Sequence, residues 1–150
     1  MLPPCQTRRL GAGDLSLARI TLNVMAQVFE TDAVDDRDAH LSDLLRSPQF
    51  SVFAATIEGR VVGGLTAYTL PMARTNAREL FVYDLAVDAA FQRRGVATQL
   101  MTAARQSAGV EGINDVFLVA ENEDTPALAF YRSIGITETP TTTFAFGSPA

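Results

Sequence analysis

The run Leu85-Ala86-Val87-Asp88-Ala89-Ala90-Phe91-Gln92-Arg93-Arg94-Gly95-Val96-Ala97-Thr98 decides how this chain is read: an apolar strand passes through a basic turn of small residues into a helix. Residues 79–87 are β-branched, aromatic and aliphatic in near-continuous order, which predicts a strand covered on both faces. Residues 96–108 suit a helix. Between them Gly95 lets the backbone approach a ligand closely and Ala97 keeps the first helical turn slim. The amides at the helix start point outward at the positive end of its dipole, so the turn is a cradle for an anion such as phosphate. The plainer alternative is an ordinary turn in which Gly95 serves geometry and the arginines are solvated.

Outward from this run the elements alternate. Residues 5–10 read as a short first strand, and Asp14 as the N-cap of a helix through about Phe29, with apolar positions Leu15, Ala18, Leu22, Met25 and Val28. A second helix spans 40–46 and ends at Ser47-Pro48. Strands 50–57 and 60–70 form a hairpin around Glu58-Gly59, closed by Pro71. After the strand at 81–87 and the helix at 96–108 come a strand at 116–120, a helix at 126–134 with Pro in its first turn, and a last strand at 141–146. The expected class is mixed α/β, with a mainly antiparallel first half and a parallel contact near the cradle.

Size and composition suit one domain over residues 1–150, 47% of them hydrophobic. No apolar run is long enough to span a bilayer, and the start, Met1-Leu2-Pro3-Pro4-Cys5, lacks the basic and apolar regions of a secretory signal, so a cytoplasmic location is expected. The single cysteine, Cys5, has no internal disulfide partner, and with His40 as the single histidine neither a zinc site nor a Cys–His nucleophile is expected. All 12 basic residues are arginine. No metal, nucleic-acid partner or membrane partner is anticipated.

Two kinds of acidic residue stand out. Asp84 lies inside Phe81-Val82-Tyr83-Asp84-Leu85-Ala86-Val87, where a carboxylate is unfavourable unless it faces a polar cleft or has a partner such as Arg78. The net charge of −5 comes from two clusters, Glu30, Asp32, Asp35, Asp36, Asp38 and Asp43 against Arg37, and Glu121, Glu123 and Asp124. Charge runs are commonly solvated loops. The second cluster follows the strand beyond the cradle directly, and a rim of carboxylates there would attract and orient a polycation.

Gln92-x-x-Gly95-x-Ala97, together with Phe130-Tyr131-x-x-x-Gly135-Ile136 further on, resembles the signature of the GNAT superfamily of N-acetyltransferases. The resemblance implies the GNAT acyltransferase fold, a mixed, largely antiparallel sheet flanked by helices with a splayed parallel strand pair at the coenzyme site. It also implies acetyl-CoA as acetyl donor. Its pyrophosphate would be held by Gln92, Arg93, Arg94, Gly95, Val96, Ala97 and Thr98, and its pantetheine arm by backbone along Leu85, Ala86 and Val87. Tyr131 maps onto the family's tyrosine that protonates the leaving sulfur; the alternative for Tyr131 is a core aromatic with a satisfied hydroxyl.

Within the superfamily, Leu44-Leu45-Arg46-Ser47-Pro48-Gln49-Phe50, the strand at 61–71, Val82-Tyr83-Asp84-Leu85-Ala86-Val87 and the run Asp124-Thr125-Pro126-Ala127-Leu128-Ala129-Phe130-Tyr131 look like the class I aminoglycoside 3-N-acetyltransferases of gentamicin resistance. That likeness implies acetylation of the 3-amino group of 2-deoxystreptamine antibiotics. It makes Asp84 a substrate-binding and catalytic carboxylate and Glu121, Glu123 and Asp124 acceptor-binding residues; the acidic loop from Glu30 to Asp38, on its charge, is expected to add a more distant lip through Glu30. A nearby negative charge stabilises the ammonium form of the acceptor, so positioning is the simpler role for Asp84 and base work through water the other. One departure stands: the register of a family asparagine that contacts coenzyme A holds Asp124, and the nearest asparagine is Asn122. A homodimer is expected only because many relatives form one. Two other readings remain, a GNAT enzyme for another polyamine or a peptide amine, and a coenzyme-binding regulatory module without transfer activity.

Overall fold

The hairpin around Glu58-Gly59 organises the sheet. In the computed structural model, which describes residues 2–33 and 38–147, β1 (Cys5–Arg9) is followed by the antiparallel pair β2 (Phe50–Ile57) and β3 (Arg60–Pro71). Both turn residues take positive φ, 51° at Glu58 and 78° at Gly59, as a two-residue hairpin of matching twist requires. β1 adds antiparallel to β2, β4 (Arg78–Val87) antiparallel to β3, and β5 (Asp115–Phe117) parallel to β4, giving the order β1-β2-β3-β4-β5. This is the expected α/β arrangement, antiparallel except at the strand pair beside the cradle.

Two compact units make up the chain, Met1–Val119 with the whole sheet and Ala120–Ala150. In the first, α1 (Leu15–Val28) and α2 (Asp38–Arg46) cover one face of the sheet, where Leu41, Leu45, Ala18 and Leu10 pack with Phe50, Val52 and Ala54. α3 (Val96–Val110) covers the other face. Arg9, opposite Phe53 in the register, reaches α3 there by donating to Ser107 Oγ at 3.1 Å. The second unit holds α4 (Thr125–Ser133).

α1 buries Ala18, Thr21, Met25 and Ala26. The buried Thr21 hydroxyl donates to the Leu17 carbonyl at 2.8 Å, so a polar residue sits in the apolar stripe without an orphaned group. The helix approaches β3 so closely that a Cβ on Gly64 would stand 2.6 Å from Thr21 Cγ2 and 2.7 Å from Met25 Sδ. Gly64→Ala is therefore expected to destabilise by about 1–3 kcal/mol through overpacking, seen as a lowered Tm; an unchanged Tm would mean that α1 lifts freely from the sheet.

Several sequence expectations need correction. Asp14 occupies the N-cap position of α1 but caps no helix amide. Its carboxylate is taken by the Gly11 N–H at 2.8 Å and by Arg8 at 3.1 Å, a tighter local turn that also pulls its pKa down, the Gly11 bond first. β5 starts at Asp115 and stops at Phe117, short of the expected 116–120, because its pairing with β4 ends there. Residues 141–146, expected as a last strand, have no strand pairing, and Phe144 and Phe146 are fully solvent-exposed: alternation alone does not make a strand without an edge to bond. β4 is not covered on both faces either, since Tyr83 is 62% exposed. Asp35, Asp36 and Arg37 of the first acidic cluster lie outside the described residues.

Candidate active site

β4 and the turn after it carry the site of the first unit. Parallel pairing joins Glu79 to Asp115, Leu80 to Val116 and Phe81 to Phe117 and then stops, while β4 runs on to Val87 paired with β3. Past Phe81 the strands part. Among the described residues, alternate backbone groups of β4 toward its C-terminal end are thus left without a strand partner on the β5 side, a feature that accepts an extended, amide-containing ligand by strand-like hydrogen bonds. Leu85, Ala86 and Val87 lie on this stretch.

The turn beyond β4 is tied down from within. Asp88 N–H donates to the Val62 carbonyl at 2.8 Å, Asp88 Oδ1 accepts from Ala90 N–H at 2.9 Å, and Gln92 Nε2 donates to the Val87 carbonyl at 3.1 Å. A single 3₁₀ turn, Ala89–Phe91, carries Phe91, over whose ring lie the guanidinium groups of Arg60 at 5.0 Å and Arg94 at 5.2 Å. Two left-handed residues then reverse the chain, Arg93 at φ 64° and Gly95 at φ 77°. The first hydrogen bond of α3 runs from Gln99 N–H to the Gly95 carbonyl, 3.0 Å, so the amides of Val96, Ala97 and Thr98 have no acceptor within the helix. Gln92, Arg93, Arg94 and Gly95 are exposed, and a Cβ at Gly95 would meet nothing within 4 Å. Open space, outward amides and flanking arginines at a helix start fit a pyrophosphate.

On the face of the sheet shared with α1 and α2, Thr66 stands opposite Asp84 and donates from Oγ1 to its Oδ2 at 2.9 Å. Thr66, not Arg78, is therefore the partner of Asp84; Arg78 donates to the Glu111 carbonyl at the end of α3. The next register pair is Ala67 with Val82, which leaves Tyr83 as an extra residue in β4. Such a bulge re-aims side chains locally. Here it turns Tyr83 toward Tyr68, ring centroids 5.7 Å apart at 85°, beside the carboxylate. Burial first, then the charge of Asp84 and the neighbouring Tyr83, raises the pKa of Tyr68 above the ordinary phenol value, so all three groups share one small region.

Tyr131 lies on α4 in the second unit, its ring 5.2 Å from that of Phe130. Burial, and secondarily the charge of Asp124, pushes its phenol pKa up, keeping the proton on the oxygen at neutral pH. Asp124 caps α4, accepting from Ala127 N–H at 3.2 Å through Oδ1. Glu121, Asn122 and Glu123 are exposed in the turn before it. Glu30 stands exposed past the end of α1, in positive φ at 56°.

Of the residues singled out in the sequence, the structure places Asp84 on β4, which leads into the Gln92–Thr98 turn, and Tyr131 on α4. Sequence reasoning missed Thr66, Tyr68, Tyr83 and the left-handed Arg93. The tyrosines were visible as exposed-type residues in an apolar strand, but no one-dimensional pattern shows a bulge.

The acetyltransferase (GNAT) family matches residues 17–136, and the chain belongs to that family. A search of curated proteins finds no match. Among solved structures, an aminoglycoside acetyltransferase from an uncultured soil metagenomic sample, in complex with trehalose, is 34% identical with a TM-score of 0.91, covering 97% of each chain. The same enzyme in complex with sisomicin is 33% identical with the same TM-score and coverage. A second aminoglycoside acetyltransferase from soil metagenomic DNA, HMB0005, is 30% identical with a TM-score of 0.88, over 97% of this chain and 99% of that one. An aminoglycoside N-acetyltransferase, AAC(6')-Iy, in complex with CoA, shares the fold at 20% identity and a TM-score of 0.81, over 97% of this chain and 95% of that one. The protein is an acetyltransferase of GNAT type, structurally close to aminoglycoside acetyltransferases.

Proposed function

We propose that this protein transfers the acetyl group of acetyl-CoA to the 3-amino group of the 2-deoxystreptamine ring of aminoglycoside antibiotics. The observation that carries the reading is the stretch of β4 beyond its pairing with β5, which runs on into an exposed left-handed turn at a helix start and carries a carboxylate. Support for the acceptor class comes from the sisomicin complex of the relative that is 33% identical. The 3-amino position rests on the likeness of the strand Tyr83-Asp84-Leu85-Ala86-Val87 to class I enzymes.

Bound acetyl-CoA supplies an activated thioester. The chain does the rest. The cradle amides and Arg93 and Arg94 offset phosphate charge, and the free edge of Leu85, Ala86 and Val87 aligns an extended arm. Asp84, its Oδ2 held by Thr66, has acceptor capacity left for an ammonium group and orients the amine. An amine attacks only as the free base, so one proton leaves the ammonium for water; Tyr131 Oη–H protonates the departing sulfur, and the second amine proton, released as the amide forms, restores the phenol through water. Glu121, Glu123, Asp124 and Glu30 add attraction for a polycation. In this reading residues 1–150 serve one catalytic function without a metal, in a cytoplasmic homodimer.

Product analysis tests the proposal: gentamicin is expected to carry the acetyl group on the 3-amino nitrogen, and an analogue lacking that amine is expected to be inert. Acetylation elsewhere removes the positional claim, and release of coenzyme only with other amines moves the enzyme to a different acceptor. Asp84→Asn keeps size and the Thr66 hydrogen bond but removes the charge. It is expected to lower kcat/KM for the acceptor about 10- to 100-fold with the coenzyme KM within about 2-fold. Equal losses for both substrates would make Asp84 structural.

A further inference from the structure

A continuous line of aromatic rings crosses the α1/α2 face of the sheet beside Asp84. Phe50 meets Tyr68 at 5.5 Å, Tyr68 meets Tyr83 at 5.7 Å, Tyr83 meets Phe81 at 5.5 Å, and Phe81 stacks on Phe117 at 4.7 Å with ring planes 3° apart. Phe50 anchors the line in the core, but Tyr83, Tyr68 and Phe117 are 62%, 36% and 39% exposed. An exposed aromatic patch of this extent is costly on a surface that only meets water. The bulge that releases Tyr83 from the register lies between Asp84 and Val82, so the same backbone irregularity aims the ring and sets it next to the carboxylate.

We propose that the exposed ring of Tyr83, with Tyr68 set at 85° to it and Phe81 behind, forms a shelf for one face of an aminosugar ring, and that this shelf makes the acceptor site prefer cyclic aminosugars to linear polyamines. The inference rests on the reading of Asp84 as the acceptor carboxylate. A sugar or aminocyclitol ring presents a flat array of C–H groups that packs on an aromatic face, and its ring-borne ammonium groups are drawn both to the π face and to Asp84. A linear polyamine satisfies the carboxylate equally well but has no flat ring to lay on Tyr83. The shelf thus adds shape selection to a site whose charge alone would accept any polycation.

The chain has no tryptophan and three tyrosines, so the Tyr131→Phe protein emits from Tyr68 and Tyr83 alone. Its fluorescence is titrated with sisomicin and with spermine, alongside the same background carrying Tyr83→Ala or Tyr83→Phe, while acetyl transfer to sisomicin is measured on the otherwise wild-type enzyme and its Tyr83→Ala variant. Expected are a saturable signal with sisomicin, a loss of sisomicin affinity of about 5- to 30-fold for Tyr83→Ala, near-normal affinity for Tyr83→Phe, and less than about 2-fold change for spermine. Tyr83 is exposed, so these variants fold. Transfer to sisomicin with a KM indifferent to Tyr83→Ala overturns the shelf and leaves the proposed activity standing. Tyr83-dependent binding without transfer keeps the shelf and overturns that activity. Neither binding nor transfer overturns both, and equal losses for sisomicin and spermine overturn the claim of selection.

Discussion

Tyr131→Phe is expected to lower kcat by about 10- to 1000-fold while the dissociation constant for acetyl-CoA stays within about 2-fold, because the role proposed for Tyr131 is to give a proton to the leaving sulfur and only that proton is removed. The phenol suits the task through its surroundings. Burial and the Asp124 charge raise its pKa, so it is fully protonated at neutral pH and available as a donor. Its role and its proton can be separated, since Asp124 caps α4 through one oxygen and asparagine caps a helix as well as aspartate does. In Asp124→Asn the cap survives, the charge goes, and the Tyr131 pKa is expected to fall toward the ordinary phenol value. Ultraviolet titration against the Tyr131→Phe protein isolates that phenol from Tyr68 and Tyr83. Full turnover in Tyr131→Phe with a lowered Tm would return Tyr131 to the core and leave the acid unassigned.

The sheet was legible where the sequence contains its own boundary signals. Glu58-Gly59 marks a two-residue turn, Pro48 stops α2, and Gly95 divides a strand from a helix; each encodes a local φ requirement that neighbouring residues confirm. Legibility failed where the outcome depends on a partner elsewhere. The Thr-Phe-Ala-Phe alternation at 143–146 has strand period but no strand to pair with, and β5 ends where its parallel contact with β4 ends. The site divides the same way. Asp84 was conspicuous as a charge in an apolar run, whereas Thr66, which holds it, is distant in sequence and unremarkable in type. Tyr83 was read as a strand residue because the bulge that turns it outward is a register relation between two strands.

Gly95→Val is expected to raise the dissociation constant for acetyl-CoA at least about 100-fold, the equivalent of losing two charge-assisted hydrogen bonds. Two effects contribute and can be separated. At φ 77° any Cβ carries left-handed strain, about 1–2 kcal/mol, and a β-branched residue carries more. Yet a Cβ there meets no protein atom within 4 Å, so the protein itself has no steric objection to the added group; the open space it enters is the space the proposed site gives to the phosphates. Gly95→Ala bears most of the strain and fills little of that space. It is expected to lower Tm and weaken coenzyme binding by about 10-fold or less. Gly95→Val adds occlusion, and its coenzyme affinity is expected to fall much further than its extra loss of stability explains. Calorimetric titration of both folded variants with acetyl-CoA, beside their thermal melts, reads the two effects apart. If Gly95→Val folds and binds acetyl-CoA as the unsubstituted protein does, the phosphates do not sit on this turn, and Leu85, Ala86 and Val87 alone would have to account for coenzyme affinity.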